Sequence, residues 1–181
     1  MKKNLHKSVL NITFISLFAA LCYIALTVFF FPVGPMFVHF GNLIVVLAAL
    51  LVGGWQGGLA GSIGMGLYDI LNGHADSSPK TFLLKFLIGF MVGLVYTILS
   101  RKLKSKTVAA TIGAVAGMIV NLTGEILWKT VQYTLAGSTF DAAFVTSLLS
   151  QSSTLLNAVI AVIGGVALFK LLEKPFEKLK R

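Results

Sequence analysis

From Val9 to Phe31 the chain is almost unbroken apolar sequence, and the run ends at "FFFPVGP", where two prolines stop a helix. "FVHFGN" leads into "LIVVLAALLV", a shorter apolar run closed by Gly53 and Gly54. A "GGWQGG" turn precedes "LAGSIGMGLYDILNG", and the loop "HADSSPK" separates that run from "TFLLKFLIGFMVGLVYTILS". After the basic "RKLKSK" the chain resumes as "TVAATIGAVAGMIVNLTGEILWKTVQYTL", turns at "AGSTFD", and closes with a run from roughly Phe144 to Leu172. Crossing a bilayer takes about 20 apolar residues as a helix. The pattern therefore predicts an all-α integral membrane protein with six transmembrane helices, forming a single domain over residues 1–181. Span two is brief, its boundaries are the least defined, and hydropathy leaves open that it is re-entrant. The first run is longer than a signal peptide's apolar core, and the reading keeps it as a span.

Composition agrees with this reading. The chain is 56% hydrophobic and only 12% charged, with a mean hydropathy of +0.89, against about 25% charged residues in a soluble domain. The net charge of +9 would suit nucleic acid if it were spread over one face, but it is not. Most of it falls in three clusters: Lys2, Lys3 and Lys7; Arg101, Lys102, Lys104 and Lys106; Lys170, Lys174, Lys178, Lys180 and Arg181. With six spans all three land on one side of the membrane, so the positive-inside rule predicts that both termini are cytoplasmic. Asp69, Asp76, Glu125 and Asp141 lean to the outer half, while Glu173 and Glu177 lie with the tail. The single Cys22 supports neither a disulfide framework nor a metal cluster.

Small residues repeat at four-residue spacing: Gly54, Gly58, Ser62 and Gly66 in span three, Gly89 and Gly93 in span four, Gly113 and Gly117 in span five. Such faces let helices approach closely where lipid offers no hydrophobic drive. They pack one subunit tightly, or they form a docking surface for another membrane protein.

"NLTGEILWKTVQY" places Asn121, Glu125, Trp128, Lys129 and Gln132 three or four residues apart, along one side of the fifth helix. Glu125 lies about 27 Å from the inner end of that helix, in its outer half. An ionised side chain at the bilayer centre costs about 2.5–3.5 kcal/mol or more. Either Glu125 and Lys129 neutralise each other as an i, i+4 pair, or the stripe lines a polar pocket open to the outside. The second reading accounts for more of the residues. Tyr68, Asp69 and Asn72 at the outer end of span three, Lys85 in span four, Gln151 and Asn157 in span six, and His39 and His74 in the outer connections are placed to converge on it. Asp69 also has a structural alternative, as a helix-end cap or a partner of Lys85. Carboxylates, ammonium groups and aromatic rings together suit a small polar molecule with a flat ring.

Catalytic signatures such as H-E-x-x-H, G-x-x-x-x-G-K-[ST] and G-x-S-x-G are absent from the sequence. The expectation is a protein that is not an enzyme and uses no cofactor or metal. Any ATP hydrolysis would come from partner subunits. A stand-alone, gradient-driven permease and a membrane scaffold subunit are the competing classes.

Several stretches carry a family resemblance. The small-residue step in "SLFAA", the run "FGNLIVVLAALLVGGWQGGLAGSIGMGLYDILNG" and the following "PKTFLLKFLIGFMVGLV", with its lysine, are similar to the S components of energy-coupling factor (ECF) vitamin transporters. The resemblance implies a substrate-specific subunit in the bacterial plasma membrane, binding a vitamin or precursor near the outer surface. It implies partners too: a membrane coupling (T) component and two cytoplasmic ATPases, with the S component toppling to deliver its load. Ser16 and Ala20 match the family's docking position for the coupling component. The branch most resembled takes hydroxymethylpyrimidine or a vitamin B6 compound, with riboflavin and pantothenate carriers as near neighbours.

Overall fold

The computed structural model describes residues 2–33 and 36–179; Pro35, Lys180 and Arg181, used in the reading above, lie outside the described residues. Among these residues the chain forms seven helices and a two-stranded hairpin: α1 (Lys2–Val28), β1 (Phe30–Val33), β2 (Met36–His39), α2 (Gly41–Val52), α3 (Gly54–Leu71), α4 (Ser78–Ser100), α5 (Lys106–Leu135), α6 (Phe140–Leu149) and α7 (Ser152–Leu179). Lys7–Val28 within α1, and all of α4, α5 and α7, are long and apolar enough to cross a membrane.

The expected first span is too long at its outer end. Helix α1 stops at Val28, and Phe30 to His39 pair as an antiparallel hairpin with Phe30 opposite His39 and Pro32 opposite Phe37. Side chains alternate across a strand, so Phe30, Phe37 and His39 share one face of the hairpin. The expected final span is two helices. Thr139 caps α6, its hydroxyl accepting from the Ala142 N–H at 3.4 Å. The run then breaks at Ser150 and Gln151, whose side chains both donate to the Ser147 carbonyl, at 2.9 and 2.8 Å. Polar side chains that bond the backbone locally compete with helix continuation.

Helix α2 organises the bundle. It is apolar on every side, as a fully enclosed helix must be, and Val45 through Leu51 are all buried. Around it stand α1, α3, α4 and α7. Its 12 residues reach only about 18 Å, whereas the hydrocarbon layer is about 30 Å thick. A short helix at the centre of longer ones leaves an unfilled volume at one end.

The expected "GGWQGG" turn reduces to one residue. Gly53, at φ 112°, turns the chain sharply, and Gly54 already belongs to α3. That φ is open to glycine at little cost. Immediate reversal lays α3 against α2 so closely that a Cβ on Gly57 would stand 2.4 Å from the Ala49 nitrogen.

The basic ends come together. Lys106, at the start of α5, bonds Glu173 and Glu177 on α7 at 2.5 and 3.2 Å. Phe14 on α1 meets Phe176 on α7 with ring centroids 4.7 Å apart. The start of α1, the start of α5 and the end of α7 thus occupy one end of the molecule, and the volume left beyond α2 lies at the other.

Candidate functional site: a polar cavity beyond α2

A cavity of about 720 Å³ occupies that second end. Every element around the N-terminal end of α2 contributes to its wall: Leu26 from α1, Phe30, Phe37 and His39 from the hairpin, Met65, Tyr68 and Asp69 from α3, and Lys80, Thr81 and Lys85 from α4. Glu125 and Lys129 come from α5, Leu149 from α6, and Ser152, Ser153, Thr154 and Asn157 from α7, with His74, Ser77 and Ser150 from the connections.

Lys85 and Asn121 form the deep part of the site. Lys85 is 5% exposed and donates to Asn121 Oδ1 at 3.1 Å, and Asn121 is itself buried. Above them Lys80 donates to both oxygens of Glu125, each at 3.0 Å. The partner of Glu125 is thus on another helix. Lys129, its i, i+4 partner in the alternative reading, turns instead to Ser150 Oγ at 2.9 Å. One carboxylate oxygen, Asp69 Oδ2, is buried with no hydrogen-bond partner among the described residues.

The hairpin is fastened across this end by Asn157. Its Oδ1 accepts from the His39 N–H at 2.9 Å, and its Nδ2 donates to the Phe37 carbonyl at 3.0 Å. His39 Nδ1 accepts from the Gly41 N–H at 3.2 Å, at the start of α2, which holds the ring neutral. Burial, with a smaller contribution from the Lys85 ammonium, lowers the His39 pKa to about 3. Phe30 and Phe37 stack at 4.8 Å on the face of the hairpin that meets the cavity.

Eight residues singled out from the sequence line this cavity: His39, Tyr68, Asp69, His74, Lys85, Glu125, Lys129 and Asn157. Asn121 acts from behind through Lys85. Four others sit elsewhere. Gln132 is exposed on the last turn of α5, where every residue from Val131 to Leu135 is exposed. Trp128 is half-buried and does not line the cavity; successive residues turn by about 100°, which puts it on the other side of Glu125 from Lys129. Asn72 is exposed and donates to the Tyr68 carbonyl, and Gln151 is buried against Ser147. The aromatic rings on the cavity wall are those of Phe30, Phe37 and Tyr68 rather than Trp128.

Lys80, Ser77 and Thr81 were not anticipated. A signal was present: Ser77, Thr81 and Lys85 repeat every four residues in an apolar helix, a polar stripe continuing outward from Lys85. On α1, Ser16 and Ala20 are both exposed, pointing away from the bundle.

The family model described as "ECF-type riboflavin transporter, S component" matches residues 6–174. The solved structure of ThiT from Listeria monocytogenes is similar in fold, with a TM-score of 0.68 over 96% of this chain and 98% of that one, at 18% identity. Comparison with curated proteins returns no match.

Proposed function

Because the chain belongs to the S components of ECF-type transporters, we propose that it is the substrate-binding subunit of an ATP-driven importer for a vitamin or vitamin precursor bearing a flat heteroaromatic ring. Members of this family are integral membrane transport subunits, not enzymes. They bind a small molecule and associate with a T component and ATPases. The observation that carries the reading for this chain is the outer cavity. Its volume of about 720 Å³ lies in the range that encloses a small organic ligand, about 300–1,000 Å³.

In this reading the helices α1 to α5 and α7 are six spans, with both termini and all three basic clusters cytoplasmic. Substrate enters from outside past the hairpin. Its ring lies against Phe30, Phe37 and Tyr68, while His39, Asp69, Lys85, Glu125, Lys129 and Asn157 meet its polar edge. Asn121 positions Lys85. Ser16 and Ala20, exposed on α1, dock the T component, and the subunit topples to release substrate inside.

Hydroxymethylpyrimidine or a vitamin B6 compound is the first substrate reading. Amino and hydroxymethyl groups donate to carboxylates such as Glu125, and the acidic ring hydroxyl of B6 suits an ammonium. Riboflavin is the second, favoured by the description of the matched family. Calorimetric titration of the purified protein with hydroxymethylpyrimidine, pyridoxal, riboflavin and pantothenate tests both. Saturable binding of one is expected, and no binding of any would sink the proposal. Uptake into liposomes should then need the T component, the ATPases and ATP; accumulation driven by a gradient alone would make the protein a stand-alone permease.

A further inference from the structure

We infer that the cavity takes its ligand in one orientation, with an anionic or electron-rich acceptor group seated on Lys85 and a hydrogen-bond donor turned outward to Asp69. The ligand class that follows is a neutral or anionic bipolar molecule, and organic cations are rejected. This inference rests on the importer reading and specifies how the site works.

The charged groups of the cavity divide into those already bonded and those left over. Glu125 has both oxygens on Lys80, and Lys129 has Ser150. Lys85 has three N–H donors and a single acceptor, Asn121 Oδ1, at 3.1 Å. Its ammonium is nearly sealed from solvent and has no carboxylate partner among the described residues. A buried cation with no carboxylate in direct contact is costly, and an isosteric methionine would avoid that cost. The charge makes physical sense where a ligand supplies the missing acceptor. Asp69 Oδ2 is the complementary case, a buried acceptor on the same cavity with no donor.

The two leftover groups lie at different depths. Ser78 Oγ donates to the Gly66 carbonyl at 3.2 Å, and Ser62 Oγ to the Phe82 carbonyl at 2.6 Å, which fixes the register of the antiparallel α3 and α4. That register sets Lys85 level with Leu59, ten residues below Asp69, or about 15 Å along the axis at 1.5 Å per residue. The long lysine side chain takes up part of this distance. One molecule with an acceptor at one end and a donor at the other satisfies both groups, and only when its acceptor enters first.

The test is calorimetric titration of wild type, Lys85→Met and Asp69→Asn in detergent, with pyridoxal, hydroxymethylpyrimidine, riboflavin, pantothenate and the cation thiamine as probes. Melting temperatures of the ligand-free proteins are measured alongside. A hydrogen bond to a charged group is worth about tenfold or more in affinity. For the probe that wild type binds best, Lys85→Met is expected to lose at least tenfold while melting at or above the wild-type temperature. Asp69→Asn is expected to weaken the same probe, and thiamine not to bind. A smaller loss in Lys85→Met, or a variant melting well below wild type, overturns the inference and leaves the importer reading standing. Thiamine as the tightest probe does the same. Silence of wild type toward every probe overturns both.

Discussion

The ion pair between Lys80 and Glu125 makes a quantitative claim about what joins α4 to α5 at the cavity. The two residues are 45 positions apart, both carboxylate oxygens lie 3.0 Å from Nζ, and the side chains are 17% and 16% exposed. At that distance, with an effective dielectric near 20, the Coulomb attraction is roughly 5 kcal/mol. Desolvating two charges takes back several kcal/mol, and the open cavity beside them admits water. A net coupling of roughly 1–3 kcal/mol remains, near the lower end of values measured for close charge pairs. A double-mutant cycle built from Glu125→Gln and Lys80→Met, read by denaturant unfolding of ligand-free protein in mixed micelles, measures it directly. The same cycle with Lys129→Met should give a coupling below about 0.5 kcal/mol, the scale of additive, unlinked sites, because Lys129 is held by Ser150. If Glu125 couples more strongly to Lys129 than to Lys80, the pairing drawn from the geometry is wrong.

Three further outcomes are expected. Gly89→Ala would bring a Cβ to 2.4 Å from the Gly58 nitrogen, forcing two backbones apart, and should destabilise by about 1–3 kcal/mol or more; a melting temperature equal to wild type would show that the seam yields freely. Asn157→Ala removes both bonds to the hairpin, so amide exchange of residues 36–40 should accelerate roughly tenfold or more, from about 1–3 kcal/mol of lost hydrogen bonding, with unchanged exchange counting against the clamp. The His39 pKa lies at about 3, lowered by burial, against about 6.5 when unfolded. The unfolded chain alone takes up the proton between those values, so stability is full above about pH 6.5 and is lost as pH falls toward 3. His39→Gln should flatten that slope in unfolding measured from pH 7.5 to 4.5, and an unaltered slope would refute the assignment.

What could be read from the sequence was whatever depends on one helix at a time. The apolar runs, the basic clusters, the four-residue glycine spacing and the stripe of Asn121, Glu125 and Lys129 are all properties of single segments. What could not be read depends on two. Pro32 was legible as a helix stop, but the hairpin exists because Phe30–Val33 finds a partner strand in Met36–His39. Glu125 was legible as a costly buried charge, yet its choice of Lys80 over Lys129 is a matter of how α4 leans on α5. Gln132 belonged to the stripe by periodicity but lies off the cavity wall, because α5 is exposed on every side from Val131 to Leu135, which a helical wheel does not show. The break between α6 and α7 had a local signature, the polar run from Ser150 to Thr154, masked by the long apolar stretches on either side.

The contacts that hold the bundle together are of two physical kinds, and the cavity lies between them. Along the α3–α4 seam backbone touches backbone: a Cβ on Gly93 would fall 2.3 Å from Gly54 Cα, and one on Gly58 would fall 2.6 Å from the Phe86 carbonyl oxygen. Surfaces in main-chain contact have no rotamers through which to yield, and interiors packed this closely move as units. Helix α5 meets α4 partly through main chain, a Cβ on Gly113 falling 2.9 Å from the Val92 carbonyl oxygen, and partly through the side chains of Val92 and Leu84, which fill the gaps at Gly117 and Gly124. Around the cavity the joints are polar: Lys80 to Glu125, Lys85 to Asn121, and Asn157 to the hairpin. Such bonds exchange partners at small net cost, since a ligand's polar groups replace those they displace. On the proposed seating, a ligand on Lys85 would act on the joints between α4, α5, α7 and the hairpin, with the glycine seam as the fixed wall against which they reorganise.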